Sequence, residues 1–183
     1  MSRLGGLAVY DDDRNLTWLA DANYAQTSGY DADGRMFWND ANVWVASLNI
    51  GGYTGWRLPL TDTICGFNYN CTNSEMGHLF YIEGGLAQEK SINSSNYLKS
   101  FFTNRQDYYY WSGNWLEANH NLAWDMIMSN GHQDWGSNDN FFYAWAVYSG
   151  DVGGGGSVPE PGILGLMGIG ALAWSGTRSR RLG

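Results

Sequence analysis

The chain has 183 residues, enough for one domain with its own core plus an appended segment. Aromatic residues reach 16%, with ten tryptophans and 25 glycines, while charged residues are only 15%; this excludes long solvated helices rich in Glu and Lys and favours aromatic strands joined by glycine turns. The net charge of −8 is uneven: residues 1–157 hold 17 acids against seven bases (−10), and residues 158–183 hold one acid against three arginines (+2), so the acidic main body argues against nucleic acid and anionic membrane as partners.

GLAVY and NLTWLA flank DDDRN and predict two strands, Gly6–Tyr10 and Asn15–Ala20, joined by a polar turn. SGYDADGR is a loop. In MFWNDANVWVASLN, Trp38, Ala41, Val45 and Leu48 recur at helical spacing, and Asn49 with Gly51-Gly52 ends that helix. YTGWRLPL then sets Arg57 between Trp56 and Leu58, with Pro59 next. The run reads as a short strand entering the core, ended by Pro59, which lacks an N–H donor. Arg57 needs acceptors for its planar fork, and Asp151, Asp125 and Glu75 are the candidate carboxylates. Binding a ligand is the other role open to Arg57.

Cys65 and Cys71 in TICGFNYNC read as a small disulfide loop, which requires an oxidising compartment, or else as two reduced thiols. Two thiols alone make a poor structural zinc site. Thr72 to Glu75 fits a capping box ahead of Met76, Leu79 and Phe80, so a second, shorter helix is expected up to about Glu83. Residues 84–106 carry no clear pattern. DYYYWSGNW reads as a strand. NLAWDMIMSNGHQDW alternates Leu122, Trp124, Met126 and Met128 against Ala123, Asp125, Ile127 and Ser129, with a hairpin turn at Asn130-Gly131. FFYAWAVYSGD supplies one further strand. The order predicts an α+β domain over residues 1–152, an antiparallel curled sheet with two helices packed on it.

Residues 153–157, GGGGS, have linker composition. Pro159-Glu160-Pro161 cannot continue a helix, residues 162–177 carry no charge, and Arg178, Arg180 and Arg181 follow. As a helix the uncharged span reaches only ~24 Å, short of a ~30 Å hydrocarbon core, so it is a marginal transmembrane segment. The arginines would stay cytoplasmic and place residues 1–157 beyond the inner membrane. This three-part end, residues 158–183, resembles the PEP-CTERM sorting signal of Gram-negative bacteria. The resemblance implies recognition and cleavage by an exosortase, with the body released or attached at the cell surface. An exported protein is expected to begin with a signal peptide, and MSRLGGLAVYDDD lacks the apolar run of about 7–15 residues that one contains. That implies a start further upstream, a trimmed chain or a fragment.

LTWLADANYA, WNDANVWVASLNIGGYTGWRLP, SEMGHLFY, YYWSG and YAWAVYSGD occur in this order. Together they resemble the Lcl C-terminal-domain family over about residues 4–151, the Trp-Arg-Leu-Pro element being the most specific. The resemblance implies a C-type-lectin-like fold and an extracellular recognition or adhesion domain, sometimes directed at sulfated polysaccharide, with no known catalytic activity. The chain departs from the family at Leu60, where threonine usually follows Arg-Leu-Pro, and at Tyr148, where arginine is usual.

Several residues could carry chemistry. Glu75 and His78 would share a helix face, but a metal pair of this type needs carboxylates from facing helices, so His78 reads as a packing residue. His120 and His132 flank the hairpin and could approach each other beside Asp125 and Asp134, although their spacing matches no metal signature. Asp11-Asp12-Asp13, Asp31 with Asp33, and Asn138-Asp139-Asn140 are oxygen-rich turns where calcium is conceivable and solvated acids are the simpler reading. No catalytic residue and no resident metal or cofactor is expected. Tyr109, Trp111, Trp115 and Trp135 could stack on sugar rings, or simply build the core. The expected function is an exported, surface-associated, non-enzymatic recognition or matrix module with glycan as its candidate ligand. The alternatives are a metal-dependent hydrolase and a surface-layer subunit.

Overall fold

The computed structural model describes residues 1–153. The linker from Gly154 on, and with it Pro159, Glu160, Pro161, Arg178, Arg180 and Arg181, lie outside the described residues. In chain order the elements are β1 (Ser2–Arg3), β2 (Ala8–Asp11), β3 (Leu16–Leu19), α1 (Tyr24–Thr27), β4 (Arg35–Met36), α2 (Trp38–Ser47), α3 (Glu75–Gly77), a π-helical turn (His78–Glu83), α4 (Asn96–Phe101), β5 (Tyr109–Leu116), β6 (Asn119–Ile127), β7 (His132–Ser137), β8 (Phe142–Tyr143) and β9 (Val147–Ser149).

The class is α+β, but the strands form two sheets instead of one curled sheet. One has the order β1-β2-β3-β9 and the other β4-β8-β5-β6-β7. All pairings are antiparallel except the single β5–β8 contact, Tyr110 with Tyr143. The cause lies in FFYAWAVYSGD, which is not one strand. Ala144, Trp145 and Ala146 interrupt it and are buried, so β8 joins one sheet and β9 the other. Trp145 anchors the crossing. Its indole N–H donates to Leu19 O at 2.7 Å, and its ring packs against Trp18 and Phe102, each at 5.1 Å. A large ring whose one polar atom is paired can sit wholly inside a core.

The helices are short, and more than two occur. In α2 the apolar stripe buries Trp38, Ala41, Trp44 and Val45, as its spacing requires. The second expected helix begins two residues later than the capping pattern suggested. Ser74, not Thr72, caps it, its hydroxyl accepting from Gly77 N at 3.1 Å. After Gly77 the chain widens into the π-helical turn. A Cβ on Gly77 would stand 2.0 Å from Cys71 O, so only glycine lets this helix start press against the cysteine loop.

Cys65 and Cys71 are disulfide-bonded. The loop they close lies along the open edge of β7: Gln133 N donates to Asn68 O at 2.9 Å, and the Gln133 amide reaches Gly66 O at 2.8 Å. The loop thereby covers a strand edge that would otherwise invite pairing with another chain. No helix among the described residues is long and apolar enough to cross a membrane.

Candidate functional site

The Trp-Arg-Leu-Pro element joins the two sheets. Arg57 N donates to Val147 O and Val147 N donates to Arg57 O, both at 2.9 Å, which adds one residue to the edge of β9. Two residues on, Pro59 O accepts from Gly113 N and from the Ser112 hydroxyl of β5, both at 2.8 Å. Trp56 and Leu58 are buried between these attachments. The Arg57 side chain does not enter the core; it lies at the rim, 30% exposed. Glu75 is its carboxylate partner, through two bonds of 2.7 Å, and Asp151 and Asp125 are not. Leu58 O accepts from Nη1 at 3.0 Å, and the Ser149 hydroxyl accepts from Nε at 3.1 Å and Nη2 at 3.0 Å. A guanidinium has five N–H donors, and these contacts occupy all of them. Glu75 Oε2 also accepts from Leu60 N at 2.6 Å. Asp151 pairs instead with Arg3, whose hydrogen bonds hold its carboxyl below the ordinary range. Tyr148 packs on Trp56 at 5.7 Å.

The four candidate stacking residues do not form one platform. Trp111 is 0% exposed, its N–H donating to Met36 O at 2.8 Å, so it offers no face to a ligand. Tyr109 stacks on Phe142 at 4.6 Å and is half-buried. Trp115 and Trp135 are 45% and 41% exposed. Register separates them. Trp115 pairs with Ala123 and Trp135 with Trp124, and neighbouring residues of β6 point to opposite faces. Trp115 stands at the hairpin end of β5, tilted against His120 at 4.8 Å and backed by buried Trp38 at 6.1 Å. Phe37, next to Trp38 in the chain, packs with exposed Phe141 at 4.3 Å.

The histidines flanking the hairpin are not neighbours. His132 pairs with Ile127 and lies between Phe67 and Tyr69, at 4.4 and 4.5 Å. His120 is seven residues away along β6 from that pair, roughly 24 Å at strand rise. Asp125 is 1% exposed, opposite Asp134, and neither of its oxygens has a hydrogen-bond partner. Burial, then the Asp134 charge, pushes its carboxyl up to about 8. The turn acids Asp31 and Asp33 accept from backbone N–H groups of their own loop.

One cluster has no counterpart in the sequence reading. One donor atom each from Asp11, His78 and Glu83 lie within 4.8 Å of one another. In a continuous α-helix Glu75 would share a face with His78. The π-helical turn instead sets Glu83 beside it, with His78 Nε2 at 3.6 Å from Glu83 Oε1. In a π-helical turn residues five apart come to the same side, which is how His78 and Glu83 meet. Asp11 comes from the end of β2, in the acidic turn where a cation was conceivable, but nothing local pairs it with His78 and Glu83.

A family model described as the Lcl C-terminal domain matches residues 7–148, and one described as the PEP-CTERM protein-sorting motif matches residues 157–181. No curated protein and no solved structure matches the chain. The first match runs from the residue before β2 into β9 and takes in the element that ties Arg57 to Glu75, and the second takes in the Pro-Glu-Pro and arginine elements. Such a pairing is that of a surface protein exported through the inner membrane and recognised by an exosortase. The chain belongs to the Lcl C-terminal domain family and carries a PEP-CTERM sorting motif at its end.

Proposed function

We propose that this protein is a non-enzymatic recognition or adhesion module of the cell surface, built on a C-type-lectin-like scaffold and directed at glycan. An exosortase cuts the chain near Pro159-Glu160-Pro161, and the body stays in the periplasm, on the outer surface or in the extracellular matrix. Trp115 carries the reading. It is a large ring left 45% exposed, yet held from two sides by Trp38 and His120. A held ring loses little conformational freedom when the C–H face of a pyranose lies on it.

The charge pattern narrows the ligand. The Arg57 donors are all engaged within the domain, and the body carries excess acid. A neutral glycan suits this surface better than a sulfated one. Glycan-array binding by the full chain, followed by titration of the best neutral oligosaccharide, tests the reading. Trp115→Ala is expected to weaken binding by at least roughly tenfold, about 1.4 kcal/mol. Trp135→Ala, on the opposite face of the sheet, is expected to leave it unchanged. Equal loss in both variants, or no glycan bound at all, contradicts the proposal.

A further inference from the structure

We propose that Asp11, His78 and Glu83 bind a divalent transition-metal ion of the zinc type. The three residues come from the end of β2 and the two ends of the π-helical turn, so the ion would staple one sheet to the helical layer. The observation that points to a ligand is the ring nitrogen. His78 Nε2 has almost no solvent-accessible surface and no hydrogen-bond partner. Buried polar atoms in native proteins are nearly always paired, so an orphan ring nitrogen facing two carboxylates asks for a positive partner.

The carboxylates agree with that demand. Asp11 is half-buried and the Glu83 side chain keeps only 24% of its surface in water, so both carboxylates face the ring with little solvent around them. A dication relieves the repulsion between the two acids and replaces the water they have lost. The distances fit a small ion. Around a tetrahedral ion, ligand atoms about 2.0–2.2 Å from the metal lie roughly 3.3–3.6 Å from one another. The 3.6 Å separation of His78 and Glu83 already lies at the upper end of that range, and the widest separation, up to 4.8 Å, requires one carboxylate to move in by roughly 1 Å when the ion binds. The donor set selects the metal: calcium prefers oxygen alone, whereas imidazole with carboxylate suits zinc and its neighbours. Three protein ligands leave a position for water. A cavity of about 50 Å³ lined by Asp11, Glu83, Tyr97 and Phe101 adjoins the cluster and can hold it.

The competing account is a metal-free ion pair of protonated His78 with Glu83, and the experiment separates the two. The full chain, prepared without a polyhistidine tag and stripped with chelator, is titrated with zinc chloride by calorimetry and, in parallel, with calcium chloride. One zinc per chain is expected to bind saturably and raise the unfolding temperature, with calcium far weaker. Glu83→Gln and Asp11→Asn should each weaken zinc by roughly tenfold or more while circular dichroism stays native. His78→Ala should abolish binding, and the double variant His120→Ala/His132→Ala should not affect it. If His78→Ala fails to fold, the nearly isosteric Glu83→Gln decides. Absence of saturable zinc binding, or full-strength binding in both Glu83→Gln and Asp11→Asn, overturns the proposal.

Discussion

Glu75→Ala is expected to destabilise the domain by about 3 kcal/mol, the lower end of the range for breaking a largely buried ion pair. The lower end applies because the Arg57 side chain keeps 30% of its surface in water and Glu75 keeps 18%. The loss has two parts. The guanidinium loses both bonds to its counter-ion, and Leu60 N loses its acceptor. Both lie in the segment that reaches from Val147 in one sheet to Ser112 and Gly113 in the other. Arg57→Lys should fall between, since an ammonium cannot reproduce the bidentate fork. Asp151→Ala, which breaks only the Arg3 pair near the surface, should cost the least of the three, because water screens an exposed ion pair. Urea unfolding of the four proteins checks the order. A Glu75→Ala midpoint equal to that of wild type would remove the Arg57–Glu75 pair from any role in holding the sheets together.

The second large effect concerns Asp125, and it depends on pH. Its carboxyl titrates near 8 in the folded chain and near 3.8 when unperturbed. A raised carboxyl means that the folded state keeps a proton which the unfolded state releases. Relative to the unfolded chain, the native protein is therefore favoured by this group below about pH 4. It loses up to about 1.4 kcal/mol per pH unit between the two values and nothing more above about pH 8. Asp125→Asn removes the titration while keeping the shape. The variant should match wild type at pH 4 and exceed it by a few kcal/mol at pH 8, a gap built at that rate per unit. Asp134 on β7 and Tyr109 on β5 face the same carboxyl, and neither is altered by the substitution. Unfolding midpoints at pH 4, 6 and 8 measure the divergence. A gap that stays constant with pH would contradict the buried-acid account.

The fold was legible where a local period governs a whole element. Trp38, Ala41 and Val45 marked α2 because a surface helix buries one stripe. Alternation marks β6 as a strand but does not say which face is covered, and its middle is buried on both, from Ala123 through Met126. That is why Trp111 and Asp125 could not be assigned to the interior in advance. The Phe142 ring, 4.4 Å from Trp111, covers this side of the sheet, and it arrives from a strand that no local pattern attaches there. FFYAWAVYSGD misled for a similar reason. Its residues suit a strand everywhere, and only the packing of Trp145 on Trp18 and Phe102 divides it between sheets.

The sites divide along the same line. The Arg57 element announced itself, because a charge among apolar residues demands acceptors, and Glu75 stood among the three candidates. Choosing it required the position of α3, which depends on the Ser74 cap and the close approach at Gly77. The cysteine pair was legible from spacing. The Asp11, His78 and Glu83 cluster was hidden by the substitution of a π-helical turn for the expected α-helix, since the turn type decides which side chain lies beside His78.

Intact-mass spectrometry of the protein taken from its native cells tests the account most directly. The expected product ends near Pro161, without the apolar span and the arginines, and contains an oxidised Cys65–Cys71 bridge. A chain still ending at Gly183, with both thiols free, would contradict export, cleavage and every surface role argued from them.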